Sequence, residues 1–456
     1  MSNEKAIRWA INSAALVVLM DLSAVNIALP EMRSHFQFSV SLISMVLMIS
    51  MLTATSSALI MGKLSQLISP KKILIFGFAI FGLTTFLSGI TTDFNFLLGL
   101  RFFQGFAEAA LYVIGPALIK RYISEEKQAN AYGQWMMSTG IGISVGPLIG
   151  GYLISLFSWQ AVFFINIPLV ILGLVFSLQI KLKTSKTAKE KFDALGAFLS
   201  FAFLASLIAG VNIGRNYGWS GTWPFLLISL FLFLIFLYRQ KKCSFPILEL
   251  SLFRLRNFWL ASLGFFLFFV VNVGSRFLRP FYFEEGRGFD SELSGLLMVI
   301  SPAIMVLLAP FTDYFQRILS TKKVVLLGNF FLFVSMLFFS FWSQQSSLLF
   351  IVFSMMLLGI GMGLFYPAAT TIGMLSLPRK NYGMGSAAIA TSKSMGKLIG
   401  VLVFALLFSY FFQNLNSSFE NVLFLNEIQA VQSVFRFAAG LAFIGILFSL
   451  FFQESK

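Results

Sequence analysis

One histidine and one cysteine in 456 residues remove most site chemistry at the outset. The lone Cys243 cannot close a disulfide framework or a thiolate cluster, and the lone His35 cannot build a histidine metal site, so no metal is expected. No nucleophile–base pair stands out either, and an enzyme would have nothing to carry its chemistry. Charge is equally scarce: Asp, Glu, Lys and Arg make up 11% of the residues, where a soluble domain carries about a quarter. Apolar residues fill the gap. They account for 58% of the chain, with a mean hydropathy of +0.86. Apolar runs of about 20 residues recur from end to end, the length at which a helix crosses hydrocarbon with its own backbone hydrogen bonds satisfied.

These runs predict an all-α polytopic membrane protein with fourteen spans, over 8–30, 40–61, 73–92, 95–118, 132–156, 160–180, 194–213, 222–239, 258–280, 293–312, 323–342, 347–372, 385–411 and 433–452. Lys5 and Arg8 precede the first run but no small-residue cleavage site follows it, so a retained helix is expected rather than a signal peptide.

The formal net charge of +15 invites a nucleic-acid reading, but the basic residues are distributed by topology. Lys71 and Lys72, Lys120 and Arg121, Lys181 to Lys191, Arg239 to Arg256, Lys322 and Lys323, and Arg379 and Lys380 all fall in the tails and alternate loops of one side. Cytoplasmic loops collect Lys and Arg, so both termini are expected inside. No nucleic-acid motif competes with that explanation, and the bilayer is the expected partner. The 57 Phe and 18 Met are spread over every span, as lipid-facing and packing residues are, and point to no site.

The chain repeats. Lys71–Gly77 (KKILIFG) returns as Lys322–Gly328 (KKVVLLG), Pro116-Ala117 as Pro367-Ala368 at the same offset, and Gly146–Gly150 (GPLIG) as Gly396–Gly400 (GKLIG) one residue closer. Two parallel halves follow, an arrangement that places a substrate site between bundles near the midplane. The offset exceeds six spans by two. Residues 1–180 and 243–456 are therefore expected as six-helix bundles, with 181–242 as an inserted two-helix linker hairpin.

In this order the motifs resemble those of the fourteen-span drug:proton antiporters of the major facilitator superfamily. Leu19–Pro30 (LMDLSAVNIALP) is similar to that family's span-1 signature, Arg101–Gly105 (RFFQG) to its basic span-4 motif, and Gly142–Gly151 (GISVGPLIGG) to its span-5 antiporter motif. Trp159 to Pro168, with Phe164, Ile165 and Asn166, resembles its usual start of span 6. Asp193 with Gly196, Gly218-Trp219, and Pro246 through Leu252-Phe253-Arg254 resemble the marks around the extra pair of spans. The resemblance covers nearly the whole chain. It implies proton-coupled export of a drug-like compound or toxic metabolite by alternating access. It further implies no cofactor beyond the proton gradient, a monomer, and a multi-pass place in the cytoplasmic membrane of a bacterium. An exporter or importer of an anionic metabolite or siderophore is the alternative.

Five charges lie deep inside the expected spans, away from their ends: Asp21, Arg101, Glu108, Lys393 and Lys397. Each costs about 2.5–3.5 kcal/mol on insertion scales and so needs a reason. At 1.5 Å per residue, Asp21 and Arg101 sit about 13 and 9 Å inside the same boundary, so the two can meet. Either they form a static ion pair that orients helices, or protonation of Asp21 frees Arg101 and switches the bundle. The second matches what the resemblance implies. Glu108, two turns from Arg101 with Gln104 between them, is read as a second coupling acid or a substrate contact. Asn272 falls at the repeat position of Asp21.

Lys393 and Lys397, i and i+4 on span 13, favour a carboxylate or phosphate if they contact substrate. Arg276 and Arg279 are expected to pair with Glu284 and Glu285 at the rim. Ser138, Gly142, Gly146 and Gly150 share a face of span 5, which with Pro147 and Gly151 either packs the helix tightly or slides against span 10 during gating. The loop after span 2 has Gln66 where the superfamily normally has an aspartate, whereas the second-half loop keeps Asp313 with Arg317. An asymmetric cytoplasmic gate is expected.

Overall fold

The computed structural model describes residues 3–181, 193–243, 250–308, 311–378, 382–414 and 420–453. The Lys-rich loop beyond Lys181, Pro246, Arg379 and Lys380 lie outside the described residues, as do the side chains of Gln66, Leu67 and Trp219.

The first half contributes α1 (Asn3–Phe36), α2 (Met45–Leu67), α3 (Pro70–Ile90), α4 (Phe94–Tyr122), α5 (Glu125–Leu156) and α6 (Asn166–Gln179). Then come α7 (Ala194–Gly210) and α8 (Trp223–Lys242). The second half contributes α9 (Arg256–Phe281), α10 (Ser291–Leu308), α11 (Thr321–Phe339), α12 (Leu348–Leu375), α13 (Tyr382–Asn414) and α14 (Glu420–Leu450). Among the described residues 13 helices are long and apolar enough to cross a membrane, with α7 a shorter apolar helix beside them. Local chemistry starts several of them. Pro70 opens α3, and Asp93 and Ser347 accept hydrogen bonds from Phe96 N and Phe350 N as N-caps of α4 and α12.

Between α7 and α8 the backbone stays helical, from Ala194 to Lys242. A straight helix of that length would hold its ends about 70 Å apart. Instead Arg239 Nε lies 3.1 Å from Asp193 Oδ1, and Ser229 Oγ donates to Phe203 O at 2.8 Å. The stretch therefore doubles back as a hairpin. It packs beside α2, with Phe201 6.3 Å from Phe102 of α4.

By contacts the chain forms two compact units, Met1–Phe36 with Met45–Ile247, and Gln37–Ser44 with Leu248–Lys456. Inside the first, α1 packs on α5 and α6, α2 on α4, and α3 on α4 and α6. Inside the second, α9 packs on α13 and α14, α10 on α12, and α11 on α12 and α14. Each helix thus meets the counterparts of its repeat's neighbours. The core of the first unit is aliphatic and aromatic, built around Ile11, Leu74, Phe78, Leu111 and Ile114, each fully buried.

Candidate functional site

Glycines set the distances in both units. A Cβ added at Gly142, Gly146 or Gly150 of α5 would lie 2.7 Å from Leu16 O, 2.8 Å from Met20 O and 3.0 Å from Ile27 Cγ2. The glycine face forms a tight seam with α1, because bare glycines let the two backbones approach. Pro147 and Gly151 are buried on the same helix. The second unit repeats the seam, since a Cβ at Gly396 or Gly400 of α13 would lie 2.9 Å from Phe269 Cβ and 3.0 Å from Val270 Cα of α9.

The seam holds Asp21 against the middle of the first unit. Across from it, Gly105 lets α4 press on α2, where a Cβ would come within 2.5 Å of Ser50 O. That approach carries Arg101 into a full set of acceptors. Its Nη1 donates to Asp21 Oδ2 and to Gln104 Oε1, each at 2.8 Å, its Nη2 to Ser50 Oγ at 2.9 Å, and its Nε to Val46 O at 3.0 Å. The other carboxylate oxygen, Asp21 Oδ1, accepts from Asn166 Nδ2 at 2.9 Å, and Gln104 Nε2 donates to Thr85 Oγ1 at 3.1 Å. Both charges are fully buried. Removing two ions from water is compensated only when geometry is good and the remaining donors and acceptors are met, as here. One network thereby ties α1, α2, α3, α4 and α6. Glu108, one turn beyond Gln104 on α4, is 6% exposed.

In the second unit, Asn272 of α9 is 1% exposed and donates from Nδ2 to Tyr366 Oη of α12 at 2.8 Å. Tyr366 stacks on Phe269 with centroids 5.1 Å apart and planes 5° from parallel. Lys393 Nζ stands 4.2 Å over the Phe265 ring and Lys397 Nζ 5.6 Å over Phe269. Arg279 departs from expectation. It is 1% exposed, its Nε donates to Ser275 O at 3.4 Å, its guanidinium rests 5.9 Å from the Phe339 centroid, and its Nη1 has no hydrogen-bond partner. No ion pair of Arg279 with Glu284 or Glu285 forms. Those residues follow five and six positions later, off its helical face, in the π-helical turn Tyr282–Gly286. Asp313 is exposed in the first turn of the short helix Thr312–Leu319.

The structure therefore brings Asp21 and Arg101 together with Gln104 in the first unit, and Asn272, Lys393 and Lys397 to neighbouring turns of α9 and α13 in the second. Sequence reasoning missed Asn166 as the second ligand of Asp21, and Tyr366. The signal for Asn166 was an amide heading an apolar run two residues before Pro168; for Tyr366 none stood out.

An all-helical, multi-pass chain with two repeated bundles and a buried intramembrane ion pair is a membrane transporter, not an enzyme. The family model described as "Major Facilitator Superfamily" matches residues 11–401 and 293–456. The chain belongs to that superfamily. Its relatives include the riboflavin transporter RibZ of Clostridioides difficile, 26% identical over 95% of this chain and 94% of the relative. Another is the multidrug resistance protein Stp of Mycobacterium tuberculosis, 25% identical over 85% and 72%. A POT family transporter solved with 5-aminolevulinic acid shares the fold, with a TM-score of 0.73 at 12% identity, over 98% of this chain and 96% of that one.

Proposed function

We propose that this transporter exports a small organic molecule, a drug-like compound or toxic metabolite, in exchange for protons by alternating access. The observation that carries the reading is the buried Asp21–Arg101 contact at 2.8 Å. Arg101 of α4 pairs with the Asp21 carboxylate of α1. A proton arriving on Asp21 cancels that attraction, releases Arg101 to its other acceptors, and shifts the balance between two arrangements of the helices that the network ties together. Glu108 acts as a second acid near this pair, in proton coupling or substrate contact. Asn272, Lys393 and Lys397 contact substrate, and Asp313 belongs to the cytoplasmic gate. Gly142, Gly146, Pro147, Gly150 and Gly151 influence gating through α1, the helix that carries Asp21. The proton gradient is the energy source, with no cofactor. The protein works as a monomer in the cytoplasmic membrane of a bacterium with both termini inside.

Relatives named as a multidrug resistance protein and a riboflavin transporter support an organic solute. The two lysines on α13 favour the second reading, transport of an anionic metabolite or siderophore.

Proteoliposomes under an imposed pH gradient test the coupling. Asp21→Asn should abolish substrate-linked proton movement in protein that still folds. Coupling that survives the change would refute the switch.

A further inference from the structure

Polar atoms without partners gather at one end of the first unit. There α1 carries Glu31 and, one turn on, His35, the one histidine of the chain. Glu31 is half-buried; its carboxylate accepts the backbone N–H of Trp159, and the His35 charge acts on it. His35 is exposed, with its ring 5.7 Å from that of Trp159. Yet Glu31 Oε2 is buried with no hydrogen-bond partner among the described residues. The same is true of Trp159 Nε1 and Gln160 Oε1 beside it.

The deficit continues inward. From Gln160 the chain makes the short helical turn Ala161–Phe164 and reaches Asn166, about 9 Å along. Asn166 is fully buried; its Nδ2 donates to Asp21 Oδ1 at 2.9 Å, but its Oδ1 has no partner. Ser88 of α3, the helix packed against that turn, is fully buried with its Oγ likewise unmet. Glu31 stands ten residues from Asp21 on α1, about 15 Å away along the axis. Buried polar groups are nearly always hydrogen-bonded, to protein or to ordered water. Of the orphaned atoms along this stretch, three accept, one donates and the Ser88 hydroxyl does both, a mixture that suits water.

We propose that these atoms hold a file of waters that carries protons from the outer surface to Asp21, with Glu31 as the entry carboxylate. The proposal rests on the proton-switch reading above and deepens it by naming how the switch is reached. In the orientation proposed there, the Glu31 end faces outside, the side from which an antiporting exporter takes its protons. A proton from bulk water lands on Glu31, which passes one to the first water. Each water takes a proton on one side and releases one on the other, and the last, held by Asn166 Oδ1, protonates Asp21. Glu31 is left as a carboxylate and is reprotonated from bulk, so one proton enters for each that arrives. Asn166 and Gln160 are positioning residues, since an amide gives up no proton near neutral pH. The facing segment 158–166 brings no titratable side chain against Glu31. The charged groups of this rim are His35 and Arg33 of α1 and Asp93 at the head of α4.

The test follows protonation of Asp21 itself, without substrate or gradient. Full-length protein in detergent is stepped from about pH 8 to about pH 5 and followed by time-resolved infrared absorption. The carboxylic-acid C=O band that Asp21→Asn removes reports the arrival of the proton. Glu31→Gln should slow that arrival at least about tenfold while leaving its final amplitude unchanged. Glu31→Asp should largely restore the rate. Formate, a small weak acid that can deliver protons in place of the lost carboxyl, should rescue Glu31→Gln, which a merely structural defect would not allow. Gln160→Leu removes one water partner and no charge, and should slow arrival about threefold. It carries the test if Glu31→Gln does not fold. Glu4→Gln, at the opposite end of α1, should change nothing. The route falls, with the switch left standing, if the band rises at native speed in Glu31→Gln or in Gln160→Leu. It falls equally if formate fails to rescue a slowed Glu31→Gln. If Asp21→Asn removes no band, Asp21 takes up no proton, and switch and route fall together.

Discussion

The two units are built on the same seam but bury different charged groups beside it. In one, α5 presses its glycines into α1; in the other, α13 does the same to α9, with comparable approach distances. What rides on the seam differs. The first unit holds Asp21 in the middle of α1, its two oxygens met by Arg101 and Asn166. The second has Asn272 at the repeat position, paired with a neutral tyrosine, and buries Arg279 without a carboxylate. Close backbone packing tolerates little change, because any Cβ at the seam meets backbone or a fixed side chain. A single charge is different: it can be gained or lost if its neighbours supply or remove partners. The repeat thus preserves a frame while the buried charge differs, an Asp21–Arg101 pair in one unit and Arg279 with an unpartnered Nη1 in the other.

The largest test of this contrast is to remove one buried guanidinium from each unit. Arg101→Met leaves Asp21 buried without its partner and should cost about 3–5 kcal/mol, the usual penalty for an uncompensated buried charge. Unfolding in detergent measures it, and Asp21→Asn introduced alongside should recover part of the loss. If Arg101→Met is as stable as the native protein, the pair is not buried as described. Next in size, Gly146→Leu and Gly400→Leu should each destabilise by at least about 1–3 kcal/mol through overpacking, and by similar amounts. A loss confined to one unit would break the equivalence of the seams. Smaller again, and of opposite sign, Arg279→Met should be neutral or stabilising by about 1 kcal/mol, since it removes a desolvated cation and keeps its volume. A loss as large as that at Arg101 would mean that Arg279 is compensated in a way its surroundings do not show.

How much of this was legible depends on whether the cause is local in sequence. Most of the helices follow from apolar run length, a one-dimensional signal. Asp21 and Arg101 could be paired because an intramembrane charge is costly and the two lie at similar depth. The glycine stripe revealed which face of α5 is bare but not which helix fills it, because periodicity says nothing of neighbours. Arg279 was misjudged since two acids lay close in sequence, while helical geometry turns positions five and six residues on away from it. Asn166 looked like a family mark at the head of α6, and only the fold puts its amide 2.9 Å from Asp21.

The hairpin formed by α7 and α8 supplies the smallest contrast, an acid–base contact outside the spans. Asp193 caps α7 by accepting from Gly196 N at 3.0 Å, and it also accepts from Arg239 Nε at 3.1 Å and Gln240 Nε2 at 3.0 Å. Burial pushes its carboxyl up, but these hydrogen bonds and the Arg239 charge outweigh burial and hold it below its ordinary value. A depressed folded value means the ionised form is favoured by folding. The stabilisation is therefore complete above the unfolded carboxylate range and is lost as pH falls through the folded value. Asp193→Asn should cost about 1 kcal/mol near neutral pH through a weaker cap and a lost ion pair. Its deficit relative to the native protein should then shrink below about pH 4. A deficit that stays constant into acid would show that shape rather than charge closes the hairpin. Because Asp193 does not touch the Asp21 network, the proposed proton coupling should be unchanged in the same variant.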